Sequence, residues 1–121
     1  MENYRKSLAI LLKQLGPGHP SVATSYNNIG NVHLNKNEYD QALEYFQKSL
    51  AIILKQLGPD HPSVAISYNN IGIVRSNKGE HDKALANYQK SLAIKLKKLE
   101  PDHPDVASSY NNIGLAYKSK R

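Results

Sequence analysis

The sequence predicts an all-α fold, a right-handed α-solenoid of six helices arranged as antiparallel pairs. The first observation is that the pentapeptide Tyr-Asn-Asn-Ile-Gly occurs at 26–30, 68–72 and 110–114, so that a unit of 42 residues recurs. The second is that residues 17–58 and 59–100 are identical at 28 of these 42 positions. The third is that each unit carries two apolar patterns at helical spacing, separated by breaks rich in Pro and Gly. A period of this length is typical of stacked helical repeats.

The repeat divides the chain into four parts. Residues 1–16 are a partial repeat, 17–58 and 59–100 are complete repeats, and 101–121 are a second partial repeat. The chain is therefore expected to start on the second helix of a unit and to end on a first helix. Because Met1 occupies the position of Leu43 and Leu85, we expect the chain to be a piece of a longer array.

The first helix of each unit is expected to begin at the proline of a His-Pro pair, at Pro20, Pro62 and Pro104. Proline suits the first helical position, because its missing N–H has no intrahelical partner there. Glycine in mid-helix costs about 1 kcal/mol relative to alanine, so a close helix–helix approach is predicted at Gly30. The helix is expected to end near Asn37. Its core-facing positions in the first complete unit are Val22, Ala23, Tyr26, Ile29, Gly30 and His33.

The second helix is expected over about residues 38–57. The small side chain of Ala42 allows a neighbouring helix to pack closely, and the Phe46 ring is expected to fill the space next to this contact. The loop at 58–62 ends the helix, since two prolines and a glycine are strong helix breakers. Short connections of this kind imply antiparallel neighbours. Its apolar positions, which recur at helical spacing, are Ala42, Leu43, Phe46, Leu50, Ile53, Leu54 and Leu57.

Five of these residues, Tyr26, Ile29, Gly30, Ala42 and Phe46, resemble the pattern of the tetratricopeptide repeat. The usual unit of that family is shorter by eight residues, and the extended unit here looks like those of kinesin light chain and related arrays. The resemblance covers the whole chain. It implies a protein-interaction scaffold whose first helices line a concave groove. The chain departs from the family in carrying Tyr26 where Trp is usual.

The resemblance places candidate peptide-binding residues on the outward side of the first helices. They are Thr24, Asn27, Asn28, Asn31 and Asn35 in the first copy, Ile66, Asn69, Asn70, Ile73 and Asn77 in the second, and Ser108, Asn111, Asn112 and Leu115 in the third. The variation among the copies would make the groove more apolar near Ile66, Ile73 and Leu115. Neutral drift at exposed positions explains that variation equally well.

The asparagine pair in each first helix needs a reason, because asparagine is a mediocre helix former. One interpretation is a ladder of amides that bind the backbone of an extended peptide, since each amide offers two donors and an acceptor. The other is a structural hydrogen bond to the neighbouring repeat. We expect a division, with one asparagine of each pair structural and the other facing the groove.

The formal charge of +6 is distributed unevenly. Residues 1–60 carry six Lys/Arg and five Asp/Glu, whereas residues 61–121 carry ten and five. The second half would attract acidic partners, or it is simply a solvated, lysine-rich face. The basic pI of about 9.5 also raises RNA as a partner. The outward first-helix positions are Asn and aliphatic rather than basic or stacking aromatic, so nucleic acid is not favoured.

Metal, cofactor and catalytic chemistry are not predicted. The chain has no cysteine, so it has no disulfide and no thiolate nucleophile. His19, His61 and His103 occur once per repeat, and packed helices lie about 8–10 Å apart, too far for adjacent histidines to share an ion at about 2 Å. Loop-pinning or helix capping is expected instead, and His33 and His81 are given no role. The acidic pair Glu38 and Asp40 recurs in phase at 80 and 82, which favours structure over an acid–base pair.

No membrane partner is expected, because the apolar stretch Leu8 to Leu12 is too short to span a bilayer. Nothing in the composition demands an oxidising compartment, and a cytoplasmic location is the expectation. The identity of a protein or peptide partner does not follow from the sequence.

A structural role is the alternative to peptide binding. The first helix, to Leu15, lacks the helix that would precede it in its repeat, and the last helix lacks the one that would follow. Docking of one chain's end on another chain's start would rebuild a repeat. Such a contact is heterologous and yields filaments or rings, although another mutual covering of the ends could give a dimer.

Overall fold

The computed structural model describes residues 1–100 and 102–120, without the side chain of Lys120. This part of the chain contains six α-helices and no β-strand, which confirms the predicted all-α helical repeat. The helices are α1 (Glu2–Leu15), α2 (Pro20–Asn35), α3 (Tyr39–Leu57), α4 (Pro62–Asn77), α5 (His81–Lys98) and α6 (Pro104–Lys120). They fall into two compact units, Met1–Gly58 with α1 to α3 and Pro59–Arg121 with α4 to α6. Within the described residues, no helix has both the length and the apolar content of a membrane span.

The three His-Pro pairs start α2, α4 and α6, as predicted, and the histidine of each pair caps the helix. Nδ1 of His19 accepts a hydrogen bond from the N–H of Ser21, two residues ahead, at 3.0 Å. His61 and His103 cap α4 and α6 in the same way, at 3.1 and 3.0 Å. The first N–H groups of a helix have no intrahelical acceptor, so each imidazole satisfies one of them. The capping role predicted for these histidines is confirmed.

The turns after α2 and α4 contain a residue in the left-handed backbone conformation. Asn37 has a φ of 61°, and Gly79, at the same position of the next repeat, has a φ of 83°. Gly adopts this conformation without a steric penalty, and Asn tolerates it better than most residues. The predicted end of the helix near Asn37 is confirmed, since α2 ends at Asn35.

The core of the first unit lies between α2 and α3. Ile29 and Phe46 are completely buried. A Cβ atom on Gly30 would lie 2.7 Å from the Phe46 ring, so the absence of that atom allows the ring to rest on the α2 backbone. The close approach predicted at Gly30 is therefore confirmed. Beside it, the buried Ser49 hydroxyl donates to the carbonyl oxygen of Ala23 at 2.8 Å and ties α3 to α2.

The second unit repeats this arrangement between α4 and α5. A Cβ atom on Gly72 would lie 2.6 Å from the Tyr88 ring, and Ser91 donates to the carbonyl oxygen of Ala65 at 2.8 Å. Both contacts match those of the first unit in partner positions. Each of the two complete repeats therefore contains the same two contacts between its helices. An aromatic ring packs on a glycine, and a serine hydroxyl donates to an alanine carbonyl oxygen.

The helix α6 joins the second unit through α5. Ala84 and Tyr88 from α5 and Ala116 from α6 form one buried group, named here the α5–α6 cluster. Burial raises the pKa of the Tyr88 phenol. Nearby, the Lys95 ammonium donates to the buried Ser109 hydroxyl of α6 at 3.0 Å. These contacts fix α6 on the rest of its unit.

His33 lies on the core-facing side of α2, as expected, and it also makes side-chain contacts that the sequence analysis did not assign. Its ring is buried and stacks on Tyr45, with centroids 5.5 Å apart and planes 10° apart. Its Nδ1 lies 3.1 Å from Oε1 of Glu38 across the α2–α3 turn. The expectation that His33 has no role is therefore wrong, because the histidine links the end of α2 to the start of α3.

The equivalent turn of the second unit carries an ion pair. Nη1 of Arg75 donates to Oε1 of Glu80 at 3.2 Å, and Nζ of Lys83 lies 3.4 Å from the other carboxylate oxygen. Loss of solvation acts to raise the pKa of Glu80, but Lys78, Lys83 and Arg75 outweigh it and hold the pKa below the usual value of 4.5. The folded state therefore favours the ionised carboxylate.

Stability is accordingly expected to fall as the pH drops through the lowered pKa of Glu80. A group with a lowered folded-state pKa stabilises the fold above its unfolded pKa, here 4.5, and loses that effect in acid. We expect Glu80→Gln to lower the melting temperature at pH 7 and to flatten its decline below pH 4.5. Thermal unfolding at several pH values measures this. Glu100→Gln, at an exposed position, is the charge-matched control, and a Glu80→Gln profile parallel to that of the unmodified chain would contradict the expectation.

Candidate functional site

The candidate residues of α4 differ in exposure along the helix. Ile66 is 56% exposed, and Asn69 and Asn70 are half-buried. Ile73 was expected on the side away from the core, but it is half-buried and packs against the α5–α6 cluster. Asn77 is exposed at the end of the helix. The part of α4 that combines an accessible aliphatic side chain with amides is therefore its first half.

The candidate residues of α6 lie at the positions equivalent to those of α4. Leu115 is 55% exposed, Asn111 is exposed and Asn112 is half-buried. The hydroxyl of Ser108 donates to the carbonyl oxygen of Pro104 in its own helix at 3.3 Å. An aliphatic side chain and amides thus occur on this helix as well.

A hydrogen bond joins the asparagines of α4 and α6. Nδ2 of Asn112 donates to Oδ1 of Asn69 at 2.9 Å. Asn69 is the first asparagine of its pair and Asn112 is the second of the next pair, so the bond crosses from one repeat to the next. It is the kind of bond that the structural interpretation predicts. Each amide carries two donor hydrogens and an oxygen with two lone pairs, so each keeps capacity for a further partner.

The candidate residues of α2, in the first unit, are all polar. They are Thr24, Asn27, Asn28, Asn31 and Asn35. The Thr24 hydroxyl donates to the carbonyl oxygen of Pro20 at 3.4 Å, as Ser108 does in α6. Asn27 and Asn28 are half-buried, whereas Asn31 and Asn35 are exposed, and Asn27 and Asn70 both take part in further interactions. This side of α2 offers hydrogen-bonding groups without an aliphatic contact.

A cavity of about 130 Å³ opens beside Ile66 in the second unit. Its lining combines four apolar residues, Pro62, Ile66, Ile94 and Leu99, with three charged ones, Lys95, Lys98 and Asp105. Apolar cavities of about 150 Å³ can hold a molecule as large as benzene. The space beside Ile66 is therefore large enough for one aliphatic side chain to lie against the apolar part of its lining.

Lysines of the second helices lie against tyrosine rings of the first helices, and one of them also lies against a tyrosine of its own helix, which the sequence analysis did not foresee. Nζ of Lys48 lies 5.6 Å from the Tyr26 ring centroid and 5.2 Å from that of Tyr45. Nζ of Lys90 lies 5.4 Å from the Tyr68 centroid. The available signal was the in-phase recurrence of the Lys–Tyr pairs. Each lysine serves as a cation–π contact within its helix pair.

Within residues 1–100 and 102–120, no group of three or more His, Asp or Glu side chains could hold a metal ion. The repeated histidines each use Nδ1 to cap a helix, as described above. The asparagine amides of α4 and α6 can supply hydrogen bonds to another molecule, and Ile66 and Leu115 can supply apolar contacts.

Comparison with known proteins gives matches to one repeat family. The family model described as tetratricopeptide repeat matches residues 2–55, 26–97 and 75–121. The fold is similar to the crystal structure of BtubC (BKLC) from P. vanneervenii, with a TM-score of 0.90 and 25% identity over 98% of this chain and 48% of that one. It is also similar to a Podosopora anserina kinesin light chain with nearly identical TPR-like repeats, with a TM-score of 0.89 and 25% identity over 98% and 56% of the two chains. The chain thus spans about half the length of these structures, and no curated protein sequence matches it.

Proposed function

The chain belongs to the tetratricopeptide repeat family, and we propose that it binds an extended segment of a partner protein along α4 and α6. Repeats of this family generally mediate protein–protein interaction, and they typically act as non-catalytic scaffolds. The observation that carries the proposal is that Ile66 on α4 and Leu115 on α6 are each more than half exposed beside the asparagine pairs.

The amides on this surface suit the main chain of a peptide. An extended segment presents an N–H and a C=O from every residue, and its hydrogen bonds give affinity without a demand on sequence. Because Asn69 and Asn112 bind each other, they are held in place before a ligand arrives. Side chains fixed in advance lose less entropy on binding than mobile ones do.

The aliphatic residues on the same surface would supply the selectivity. Ile66 and Leu115 are each more than half exposed, and one turn of helix separates each of them from the asparagine pair. The cavity beside Ile66 would take an aliphatic side chain of the bound segment. A segment with main-chain groups over the amides and apolar side chains at the two aliphatic positions fits this arrangement.

A random peptide library displayed on phage supplies the ligands for a test. Peptides selected on the unmodified chain are expected to bind Ile66→Ala and Leu115→Ala about tenfold more weakly each, which corresponds to about 1.4 kcal/mol. Asn111→Ala, at the exposed amide of α6, is expected to weaken binding by a smaller factor. Calorimetric titration of each variant with one synthetic peptide measures the changes.

The matched control is Gln89→Ala, which removes an exposed amide from α5 instead of from a first helix. It is expected to leave the affinity unchanged. Peptides that bind the Ile66→Ala and Leu115→Ala variants as tightly as the unmodified chain would overturn the proposal. Saturable binding of labelled RNA near physiological salt would instead favour nucleic acid.

A further inference from the structure

We propose that copies of this 121-residue chain associate head to tail, with α1 of one copy packing on α6 of the next. In each complete repeat, an aromatic ring and a serine of the second helix contact a glycine and an alanine of the first helix. The helix α1 carries the equivalent aromatic and serine residues, and α6 carries the equivalent glycine and alanine. The partner on each surface is therefore a second copy, identified by contacts that the chain already makes twice.

The helix α6 has the contact residues of a first helix, but they are accessible. Gly114 is equivalent to Gly30 and Gly72, each of which lies under an aromatic ring. A Cβ atom on Gly114 would have no atom within 4 Å. Tyr110, equivalent to half-buried Tyr26 and Tyr68, is 55% exposed. Ala107 is also exposed, whereas the equivalent Ala23 and Ala65 are each only 1% exposed.

The helix α1 has the contact residues of a second helix, and these too are accessible. Tyr4 is equivalent to Phe46 and Tyr88 and is 43% exposed, against 0% and 5% for those residues. Ser7 is exposed, whereas its equivalents Ser49 and Ser91 are buried and bound to alanine carbonyls. Lys6 is exposed at the position of the two lysines that lie over tyrosine rings.

The two exposed faces complement each other residue by residue. In the docked pair the Tyr4 ring of one copy rests on Gly114 of the next, as Tyr88 rests on Gly72. The Ser7 hydroxyl donates to the Ala107 carbonyl oxygen, and Lys6 lies over the Tyr110 ring. Both the shape match and the polar contacts follow templates observed in the two complete repeats.

The contact joins two different surfaces, so it is heterologous and leaves one free surface at each end of a dimer. Association therefore continues to longer chains or closes into a ring. The helix α1 is 14 residues long, whereas α3 has 19 residues. The docked pair is thus weaker than an intact repeat, and association depends on protein concentration.

Two substitutions test the proposal without disturbing the separate copies. Gly114→Leu fills the space over α6, and the Cβ atom it adds meets no atom within 4 Å in the single chain. Ser7→Arg places a long side chain at an exposed position of α1 where the equivalents, Ser49 and Ser91, are 1% and 0% exposed. Circular dichroism confirms that each variant keeps its helices.

Sedimentation equilibrium over rising concentration gives the result. The unmodified chain is expected to exceed twice its mass of 13.5 kDa, while each variant alone stays at 13.5 kDa. In an equimolar mixture, the unchanged α1 of the Gly114→Leu variant can dock on the unchanged α6 of the Ser7→Arg variant. The two remaining surfaces of that pair are blocked, so association is expected to stop at the dimer. An unmodified chain that stays monomeric, single variants that still associate, or a mixture that does not pair would each overturn the proposal.

A third variant separates this inference from the proposed function. Ile66→Asp lies on the candidate peptide-binding surface of α4 and is expected to leave self-association unchanged. Loss of association in Ile66→Asp would contradict docking through α1 and α6. Peptide binding in the Gly114→Leu variant remains measurable, so either proposal can fail while the other stands.

Discussion

Phe46→Ala is expected to destabilise the chain by about 3–5 kcal/mol. The Phe46 side chain is completely buried and rests on the backbone of α2 at Gly30. Glycine has no side chain that could move into the space left by the ring, so the cavity would persist. Urea unfolding followed by circular dichroism measures the loss. Hydrogen exchange is expected to show that protection falls most in α2 and α3, since repeats depend mainly on their neighbours.

Two further substitutions separate cavity formation from the loss of any aromatic group. Tyr110→Ala removes a ring that is 55% exposed and is expected to change stability by less than about 0.5 kcal/mol. Phe46→Tyr is expected to be mild, because the equivalent Tyr88 is accommodated at 5% exposure. Equal losses for Phe46→Ala and Tyr110→Ala would show that the Phe46–Gly30 contact does not hold the repeat together. Stability is compared at the same low protein concentration for all variants.

Much of the fold followed from the sequence because the signals were local and repeated. The His-Pro pairs placed three helix starts, and the residue at Asn37 placed a helix end. Gly30 predicted a close contact because its cost in helix stability needs a compensation. Each of these inferences depended on the physics of one helix or one pair, and recurrence in phase confirmed the register.

The position of Ile73 could not be predicted in this way. A helical wheel drawn for one helix pair assigns it to the side away from the core. In the structure it packs against the α5–α6 cluster, to which the next repeat contributes Ala116. The assignment needs the packing of a third helix, and periodicity within one pair does not contain that information.

The polar contacts between helices were harder to predict from the sequence than the apolar ones. The bond between Asn112 and Asn69 requires two side chains 43 positions apart to meet within 2.9 Å, which spacing alone does not determine. The link between His33 and Glu38 did leave a signal. A basic or imidazole side chain at 33 and 75 recurs five residues before an acid at 38 and 80, and such recurrence indicates a pair.

The repeated glycines permit a second large prediction with an internal control. Gly30→Ala places a Cβ atom 2.7 Å from the buried Phe46 ring, and Gly72→Ala places one 2.6 Å from the buried Tyr88 ring. Gly114→Ala adds the same atom at the equivalent position of α6, where nothing lies within 4 Å. The three substitutions are chemically identical and share the local sequence Asn-Ile-Gly, so any difference among them arises from the opposing helix.

The expected signs are therefore opposite. Alanine improves helix propensity by about 1 kcal/mol at all three positions. Overpacking costs about 1–3 kcal/mol where the ring must shift, so Gly30→Ala and Gly72→Ala are expected to destabilise. Gly114→Ala is expected to stabilise by up to about 1 kcal/mol, because only the propensity term acts there. Urea unfolding of the three variants measures these differences.

A double-mutant cycle identifies the ring as the cause. Phe46→Leu replaces the flat ring with a smaller side chain, so Gly30→Ala is expected to cost less in that background than in the unmodified chain. Additive effects would mean that the added methyl group clashes with something other than Phe46. Stabilisation by Gly30→Ala alone would mean that the ring yields freely, and then the glycine in the repeated pentapeptide would not be explained by close packing.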